Sequence, residues 1–275
     1  MKKSVVLLSA FALLAPLSSV LANGDKAVFP HRAKFKEVPI MEISNLHNQL
    51  EQVVIVDVRS RYEFETLHIK GALHIPLHKE KLPAAAKELR QNTDKPIVFY
   101  CNGTTCEKSY VAADLAIKAG VTKVFAYDAG LDAWSQAYPG DSILLSQGPA
   151  RQNDLIGKSA FKSRLLSAND FESAMERGGI VLDIRDMRQR DVMLFPFKEK
   201  RAQLDEREKI AQIVAEAKRS NKPLLVYDKV GKQIRWFQYY LEKAGVKQYY
   251  FMAGGAEGYH EAKLGKFKVP LPDPS

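Results

Sequence analysis

The sequence predicts an α/β protein built from two similar units, each a parallel β-sheet with helices on both faces. Two observations support this prediction: short apolar runs alternate with segments of helical composition, and a set of short motifs occurs twice. The length of 275 residues fits about two domains. Hydrophobic residues make up 46% of the chain and charged residues 27%, which is typical of globular proteins and excludes a disordered or collagen-like chain.

Four short motifs recur in the same order, 125 to 127 positions apart. They pair residues 53–59 with 179–185, 95–100 with 222–227, 118–121 with 243–246, and 129–130 with 254–255. This order indicates an internal duplication of a unit of about 110–125 residues, a typical domain size. We therefore expect domains over 38–140 and 160–267, an N-terminal extension over 23–37, a linker over 141–159 and a tail over 268–275.

The first unit alternates predicted helices and strands. Ser44 can cap a helix that runs to about Gln52, and residues 53–58 form a continuous apolar strand of the kind buried in a parallel sheet. The remaining predicted elements are a helix over 81–91, a strand over 97–100, a helix over 109–119 closed by Gly120, a strand over 124–127 and a helix over 131–137.

The second unit repeats this alternation. Ser167 is predicted to cap its first helix. The predicted elements are a helix over 170–177, a strand over 180–184, a helix over 206–218, a strand over 224–227, a helix over 233–244 and a strand over 249–252.

Residues 1–22 have the features of a secretory signal peptide. Lys2 and Lys3 precede an apolar stretch over 4–15 that is too short to span a bilayer of about 30 Å as a helix. Cleavage is expected after Ala22, so we expect a periplasmic or secreted protein that is not membrane-embedded. The formal net charge of +9 is scattered along the chain, which favours attraction of small anions over nucleic acid binding.

The candidate chemistry follows the strand at 97–100. The segment over 101–109, here called the cysteine loop, joins a buried strand to a helix N-terminus, where open parallel sheets bind ligands. Its small residues let backbone N–H groups surround one point and hold an anion. The same field favours the thiolate of Cys101, which makes this residue a nucleophile. The alternative is a buried, inert cysteine.

The first unit resembles a rhodanese domain, the sulfurtransferase module. The early motif of that family, roughly D-x-R-x-x-x-E-[FY]-x-x-G-H-I-x-G-A, occurs over residues 57–72, with Leu67 where the family has Gly. The motif residues in place are Asp57, Arg59, Glu63 and His68.

A late motif and the cysteine position strengthen the resemblance. The late motif occurs as Gly130 and Trp134, and Cys101 begins its loop where the family has its active cysteine. The resemblance covers about residues 38–140 strongly, and residues 160–265 through the repeat with weaker motifs. It implies two tandem rhodanese-like domains.

The resemblance implies that Cys101 takes a sulfane sulfur from an anionic donor such as thiosulfate and keeps it as a persulfide. A thiol, including a protein thiol, or cyanide then accepts the sulfur, and no cofactor is required. The residues expected to bind the substrate are Asn102, Gly103, Thr104, Thr105, Cys106, Lys108 and Arg61. For Lys108 and Arg61 the alternative is a solvated surface charge.

The residue six positions after Cys101 separates this loop from phosphatase loops. A related fold hydrolyses phosphate esters with a Cys-x5-Arg loop, but Glu107 stands at the Arg position here, and its carboxylate repels a phosphoryl dianion. Glu107 also disfavours a dianionic sulfur donor. That effect leaves open a different class of function, a sulfur carrier or small-anion-binding protein that does not turn over.

Cys106 leaves two alternatives open. It can resolve a persulfide on Cys101, which gives a disulfide and releases sulfide, or it can simply fill the loop. A metal site is not expected, because Pro76 stands between His74 and His78 and argues against a helix that presents both.

The second unit has Asp228 where the first has Cys101. A carboxylate cannot hold a transferable sulfane sulfur, so this unit is predicted to be catalytically silent. Its early motif retains Asp183 and Arg185 but loses the later part. We expect the silent unit to cover the active cleft or to dock a partner.

Overall fold

A computed structural model describes residues 28–190 and 192–265. Its α-helices are α1 (Ile43–Asn48), α2 (Arg61–Thr66), α3 (Leu82–Gln91), α4 (Lys108–Lys118), α5 (Gly130–Ala137), α6 (Lys158–Lys162), α7 (Ala168–Glu176), α8 (Arg207–Ser220), α9 (Gln233–Lys243) and α10 (Gly255–Leu264). Its strands are β1 (Val54–Asp57), β2 (Leu67–Ile69), β3 (Leu73–His74), β4 (Ile97–Tyr100), β5 (Val124–Tyr127), β6 (Ser142–Leu144), β7 (Leu165–Leu166), β8 (Ile180–Asp183), β9 (Glu199–Arg201), β10 (Leu224–Tyr227) and β11 (Tyr249–Met252). The predicted signal peptide over 1–22 and tail over 268–275 lie outside the described residues. Within the described ranges, no helix is both long and apolar enough to cross a bilayer.

The first unit contains a four-stranded parallel sheet in the order β3-β1-β4-β5. Asp57 of β1 pairs with Tyr100 of β4, which pairs with Tyr127 of β5, so the three strands end level. Ile40 adds a parallel bridge to Ala126 at the outer edge. All residues of β4 are buried, as expected for a strand covered on both faces. The residue that follows β4 therefore lies at the sheet edge where ligands bind.

The second unit contains a five-stranded parallel sheet in the order β7-β11-β10-β8-β9. The order β9-β8-β10-β11 in this sheet corresponds to the order β3-β1-β4-β5 in the first sheet. At the outer edge, β7 pairs with β11, as Ile40 bridges β5 in the first sheet. Both sheets are parallel and flanked by helices, which confirms the predicted fold class.

Several predicted elements match the structure residue for residue, among them the strands at 97–100, 124–127, 224–227 and 249–252. Ser167 caps α7 as predicted, since its side chain accepts a hydrogen bond from the Asp170 N–H. Helix α1 differs from the prediction. Glu42, not Ser44, occupies its N-cap position with an extended backbone, and the helix ends at Asn48.

The predicted linker contains a strand. β6 pairs antiparallel with β2, with Leu144 opposite Leu67 and Ser142 opposite Ile69. Each of these strands has three residues, too few to show a periodic pattern in the sequence. The first part of the linker therefore packs on the first unit.

The second unit contributes to the apolar core of the first. Trp236 and Tyr239 of α9 pack in one cluster with Tyr100 and Trp134. Trp236 is 2% exposed, and the Tyr239 hydroxyl accepts a hydrogen bond of 3.0 Å from the linker N–H of Ile156. The two units therefore share part of one core, and α9 reaches the same end of the first sheet as the cysteine loop.

Candidate active site in the cysteine loop

The cysteine loop begins where β4 ends and leads into α4. Cys101 follows Tyr100 directly and is 1% exposed. Helix α4 begins at Lys108, so the N–H groups of its first turn have no partner within the helix. These groups and the helix dipole give the loop a positive field, which stabilises a thiolate or another anion.

The structure joins Cys101 and Cys106 in a disulfide, with their Cα atoms 6.5 Å apart. The loop turns back on itself because the Cys106 N–H donates to the Gly103 carbonyl oxygen at 2.9 Å. Of the two alternatives that the sequence left open for Cys106, the structure favours the one in which its sulfur reaches Cys101.

The early motif places a buried ion pair beneath the loop. The Arg59 guanidinium donates to both carboxylate oxygens of Asp57, at 2.9 Å from Nε and 2.6 Å from Nη2. Burial would lower the pKa of Arg59, but the Asp57 carboxylate raises it above its usual value, so the guanidinium stays charged. The other guanidinium contacts are to the Leu67 carbonyl oxygen at 2.6 Å and to Asn102 Oδ1 at 3.2 Å. The ion pair therefore holds Asn102, the loop residue that follows Cys101.

Glu63 holds the same loop residue from the other side. One of its oxygens accepts from Asn102 Nδ2 at 2.8 Å, and the other accepts from the Ser60 N–H at 3.0 Å. Burial would raise the pKa of Glu63, but Arg59 and these hydrogen bonds lower it below its usual value. The carboxylate therefore stays ionised and fixes the Asn102 side chain.

The histidines of this region have structural partners. His68 Nδ1 contacts the Phe64 carbonyl oxygen at 2.7 Å and its ring stacks on Phe64, while His74 Nε2 contacts the Arg59 carbonyl oxygen at 3.0 Å. Burial lowers the pKa of His68. Within the part of the chain that the structure describes, no group of three or more His, Cys, Asp or Glu residues could hold a metal ion.

The late motif supports the loop from the side of α5. Gly130 has a positive φ of 67°, and a Cβ atom there would lie 2.5 Å from the Gly103 nitrogen. This position therefore needs glycine for its conformation and for the close approach of the two backbones. The N–H groups of Leu131 and Asp132 then donate to the carbonyl oxygens of Cys101 and Asn102, both at 2.9 Å.

The loop opens onto a cleft of about 640 Å³ between the two units. Most of the predicted substrate-binding residues line it, namely Asn102, Gly103, Thr104, Thr105, Cys106 and Lys108. The facing side is lined by residues that no sequence motif indicated as part of a site, among them Lys158, Lys232, Arg235 and Trp236. Arg235 Nη1 donates to Asp132 across the cleft at 2.6 Å. The cleft is therefore rich in lysine and arginine, which suits an anionic ligand.

Arg61 does not line this cleft. Its side chain is 85% exposed and pairs with Glu65 one helical turn away at 2.6 Å, and Glu65 also pairs with Arg207 of the second unit at 2.5 Å. The prediction that Arg61 binds the anionic tail of a donor does not fit this geometry. These charge pairs hold Arg61 at a contact between the units instead.

Glu107 faces the N-terminal extension. Lys34 Nζ donates to its carboxylate at 2.8 Å, and this hydrogen bond lowers the pKa of Glu107. His31 Nε2 contacts the Thr105 carbonyl oxygen at 3.1 Å, so the extension packs along the outside of the cysteine loop. With Lys34 beside it, Glu107 repels an anionic donor less than the sequence alone suggests.

Asp228 follows β10 as Cys101 follows β4. Its carboxylate accepts from the N–H groups of Gly231 and Gln233, both at 2.5 Å, and of Ile234 at 3.3 Å. Burial raises the pKa of Asp228 above its usual value, although these donors oppose the shift. The carboxylate therefore fills the N–H nest of its own loop.

Parts of the chain are similar to known proteins. Over 59 residues the chain is 46% identical to the tRNA uridine(34) hydroxylase of Salmonella paratyphi B, an alignment that covers 20% of this chain and only 17% of that protein. Among solved structures, a thiosulfate sulfurtransferase from Pseudomonas aeruginosa is 20% identical, with 82% of this chain and 42% of that chain covered and a TM-score of 0.39. The rhodanese-like domain of an Anabaena protein is 30% identical, with 41% and 86% covered and a TM-score of 0.34.

The family model described as the rhodanese-like domain matches residues 42–137. This range contains Cys101, the cysteine loop and both motifs of the first unit. Residues 42–137 therefore form a rhodanese-like domain.

Proposed function

We propose that this protein is a sulfurtransferase that moves sulfane sulfur from an anionic, thiosulfate-like donor to a thiol or cyanide through a persulfide on Cys101. One observation carries the proposal: in a rhodanese-like domain, a buried cysteine begins the loop between β4 and the N-terminus of α4. The lysine- and arginine-rich cleft beside it supports an anionic donor.

The reaction consists of two displacements. The Cys101 thiolate attacks the outer sulfur of thiosulfate, whose S–S bond breaks, and sulfite leaves with the bonding electron pair. The acceptor, cyanide or a thiolate, then attacks the outer sulfur of the persulfide and restores the Cys101 thiolate. The positive field of the loop stabilises the anionic sulfur in both states. The cycle requires the Cys101–Cys106 disulfide to be reduced first.

The proposal includes a tandem origin, with an active first unit and a silent second unit. The contacts around the loop support this duplication. Arg185 Nε donates to Asp183 Oδ1 at 3.0 Å, as Arg59 does to Asp57. The Ala256 N–H donates to the Asp228 carbonyl oxygen at 2.8 Å, as Leu131 does to Cys101. With a carboxylate in place of the thiol, the second unit has no group to carry sulfur.

We also propose that the chain is exported, on the strength of the signal-peptide pattern over residues 1–22. The mass of the N-terminal peptide from a periplasmic or culture-medium fraction tests this. A peptide that begins at Asn23 is the expected result, and an intact leader on cytoplasmic protein contradicts export.

Cyanolysis of the reduced protein tests the proposed activity. Steady formation of thiocyanate from thiosulfate and cyanide is expected, and Cys101→Ser should abolish it while the far-UV circular dichroism spectrum is unchanged. Release of a single equivalent of thiocyanate per protein, without turnover and with both cysteines still reduced, would instead identify a sulfur carrier. The repulsion by Glu107 that favoured a carrier is weakened by its pairing with Lys34, so we favour the enzyme.

A further inference from the structure

The second cysteine of the loop lies within reach of the atom that would carry sulfur. The chain has two cysteines, and the structure bonds them to each other. Their Cα separation of 6.5 Å lies within the range of about 4.4–6.8 Å that a disulfide allows. When a persulfide forms on Cys101, the Cys106 thiol therefore lies beside its inner sulfur.

The two sulfurs differ in access and in surroundings. Cys101 is 1% exposed, whereas Cys106 is only partly buried and lines the cleft with Lys108. An external thiolate that enters the cleft meets Cys106 first. Cys101 is then the leaving group, which the positive end of α4 stabilises.

We propose that the cysteine loop carries out a second reaction, in which the cysteine pair reduces the bound sulfane sulfur to sulfide. This reaction rests on the sulfur transfer proposed above. The Cys106 thiolate attacks the inner sulfur of the Cys101 persulfide, and the Cys101–Cys106 bond forms. The persulfide S–S bond breaks, and its electron pair leaves with the outer sulfur, which takes a proton and departs as hydrosulfide. The two cysteines supply the two electrons that the sulfane sulfur gains.

A dithiol completes the cycle. One thiolate of the dithiol attacks Cys106 and displaces the Cys101 thiolate, which leaves a mixed disulfide on Cys106. The second thiol of the dithiol attacks the mixed disulfide, so the dithiol leaves oxidised and both loop cysteines are reduced again. The disulfide in the structure is then the state at the end of each sulfide-releasing turnover. The expected partner is a dithiol, either a small molecule or part of a protein, that can enter the lysine-lined cleft.

A single-turnover experiment without external thiol tests this proposal. The full-length protein is reduced, freed of reductant by gel filtration and treated with one equivalent of thiosulfate, and sulfide and free thiols are then measured. The wild-type protein should release about one equivalent of sulfide and lose both thiols. Cys106→Ser and Cys106→Ala should release no sulfide and keep the mass of one additional sulfur atom, which cyanide then removes as thiocyanate.

The outcomes distinguish this proposal from the function on which it rests. If wild type and both Cys106 variants hold the sulfur equally and release it only to cyanide, sulfide release is refuted and sulfur transfer stands. Sulfide release by the cysteine pair is also refuted if the Cys106 variants release sulfide as fast as the wild type. If the reduced wild-type protein takes up no sulfur from thiosulfate, sulfur transfer is refuted, and sulfide release falls with it.

Discussion

Glu63 connects the early motif to the cysteine loop through its hydrogen bonds to Ser60 and Asn102. We expect Glu63→Gln to lower the free energy of unfolding at neutral pH by about 1–3 kcal/mol, because a carboxamide cannot accept from both sides. Loss of the Asn102 contact should also slow sulfur transfer. Chemical denaturation and the thiocyanate assay measure the two effects.

Acidification should reduce the contribution of Glu63 to the free energy of unfolding. The folded-state pKa of Glu63 lies below its usual value, so the stabilisation by its carboxylate is fully present above the unfolded-state pKa of about 4.3. It is lost as the pH falls through the folded-state pKa. The wild-type protein should therefore lose more stability on acidification than Glu63→Gln. Parallel curves for the two proteins would contradict this.

Lys108 and Arg61 form a matched pair of basic residues, since one lines the cleft and the other pairs with Glu65 outside it. Lys108→Ala should raise KM for thiosulfate by up to about fivefold, which is the scale of an exposed ionic contact, and the effect should shrink with added salt. Arg61→Ala should leave KM unchanged. A larger effect in Arg61→Ala would restore the role that the sequence suggested for it.

At the scale of elements, the contact between α5 and the cysteine loop depends on Gly130. Gly130→Ala should reduce sulfur transfer at least tenfold, because the new Cβ would lie 2.5 Å from the Gly103 nitrogen and displace the loop. Gly120 is a matched control: its φ is 86°, and a Cβ there meets nothing within 4 Å. Gly120→Ala should cost about 1 kcal/mol of stability and leave the transfer rate unchanged.

The loop after β10 is held by the Asp228 carboxylate, which accepts from its backbone N–H groups. Asp228→Ala should lower the free energy of unfolding by about 1–3 kcal/mol, because the N–H groups of Gly231 and Gln233 lose their acceptor. Transfer rates should stay within a few-fold of wild type. A hundredfold loss, about 2.7 kcal/mol in barrier, would show that the second unit takes part in the chemistry.

The elements that the sequence predicted best are the buried strands. Residues 97–100 and 224–227 are continuous apolar runs, and both are fully buried in the structure. Helix α2 was missed although Ser60 and Glu63 form a capping box, because six residues show too little periodicity. The strands β2 and β6 are also too short to show a periodic pattern. Their pairing joins segments that are far apart in the chain, so no local pattern predicts it.

At the scale of the whole molecule, half of the candidate cleft could not be predicted. Cys101 and the loop residues after it follow from motif and position. The structure places the residues over 102–106 and Lys108 at the cleft, and Cys101 is buried at the start of the loop. Lys232 and Arg235 reach the same cleft because α9 packs on the first unit, and Lys158 follows linker residues that pack on the same cluster. No local pattern encodes that packing, and no local pattern shows that Glu65, bound to Arg207, directs Arg61 elsewhere.

The packing of the two units predicts that the second unit supports the cysteine loop of the first. Trp236 of the second unit lies against the Arg59 guanidinium, 5.0 Å from the ring centroid, and Arg59 holds Asn102. Trp236→Ala should destabilise the protein by about 3–5 kcal/mol. It should also slow sulfur transfer at least tenfold at temperatures where the variant is folded, because Arg59 loses the surface that orients it.

Leu241 on the same helix is the control for this effect. It is buried in the core of the second unit, so Leu241→Ala should cost about 2–5 kcal/mol of stability without a direct contact to Arg59. Thermal unfolding followed by circular dichroism fixes a temperature at which both variants are folded, and the thiocyanate assay is run there. Equal transfer rates in the two variants would show that the second unit stabilises the first without positioning its loop. A selective loss in Trp236→Ala would assign the second unit a positioning role in the chemistry of Cys101.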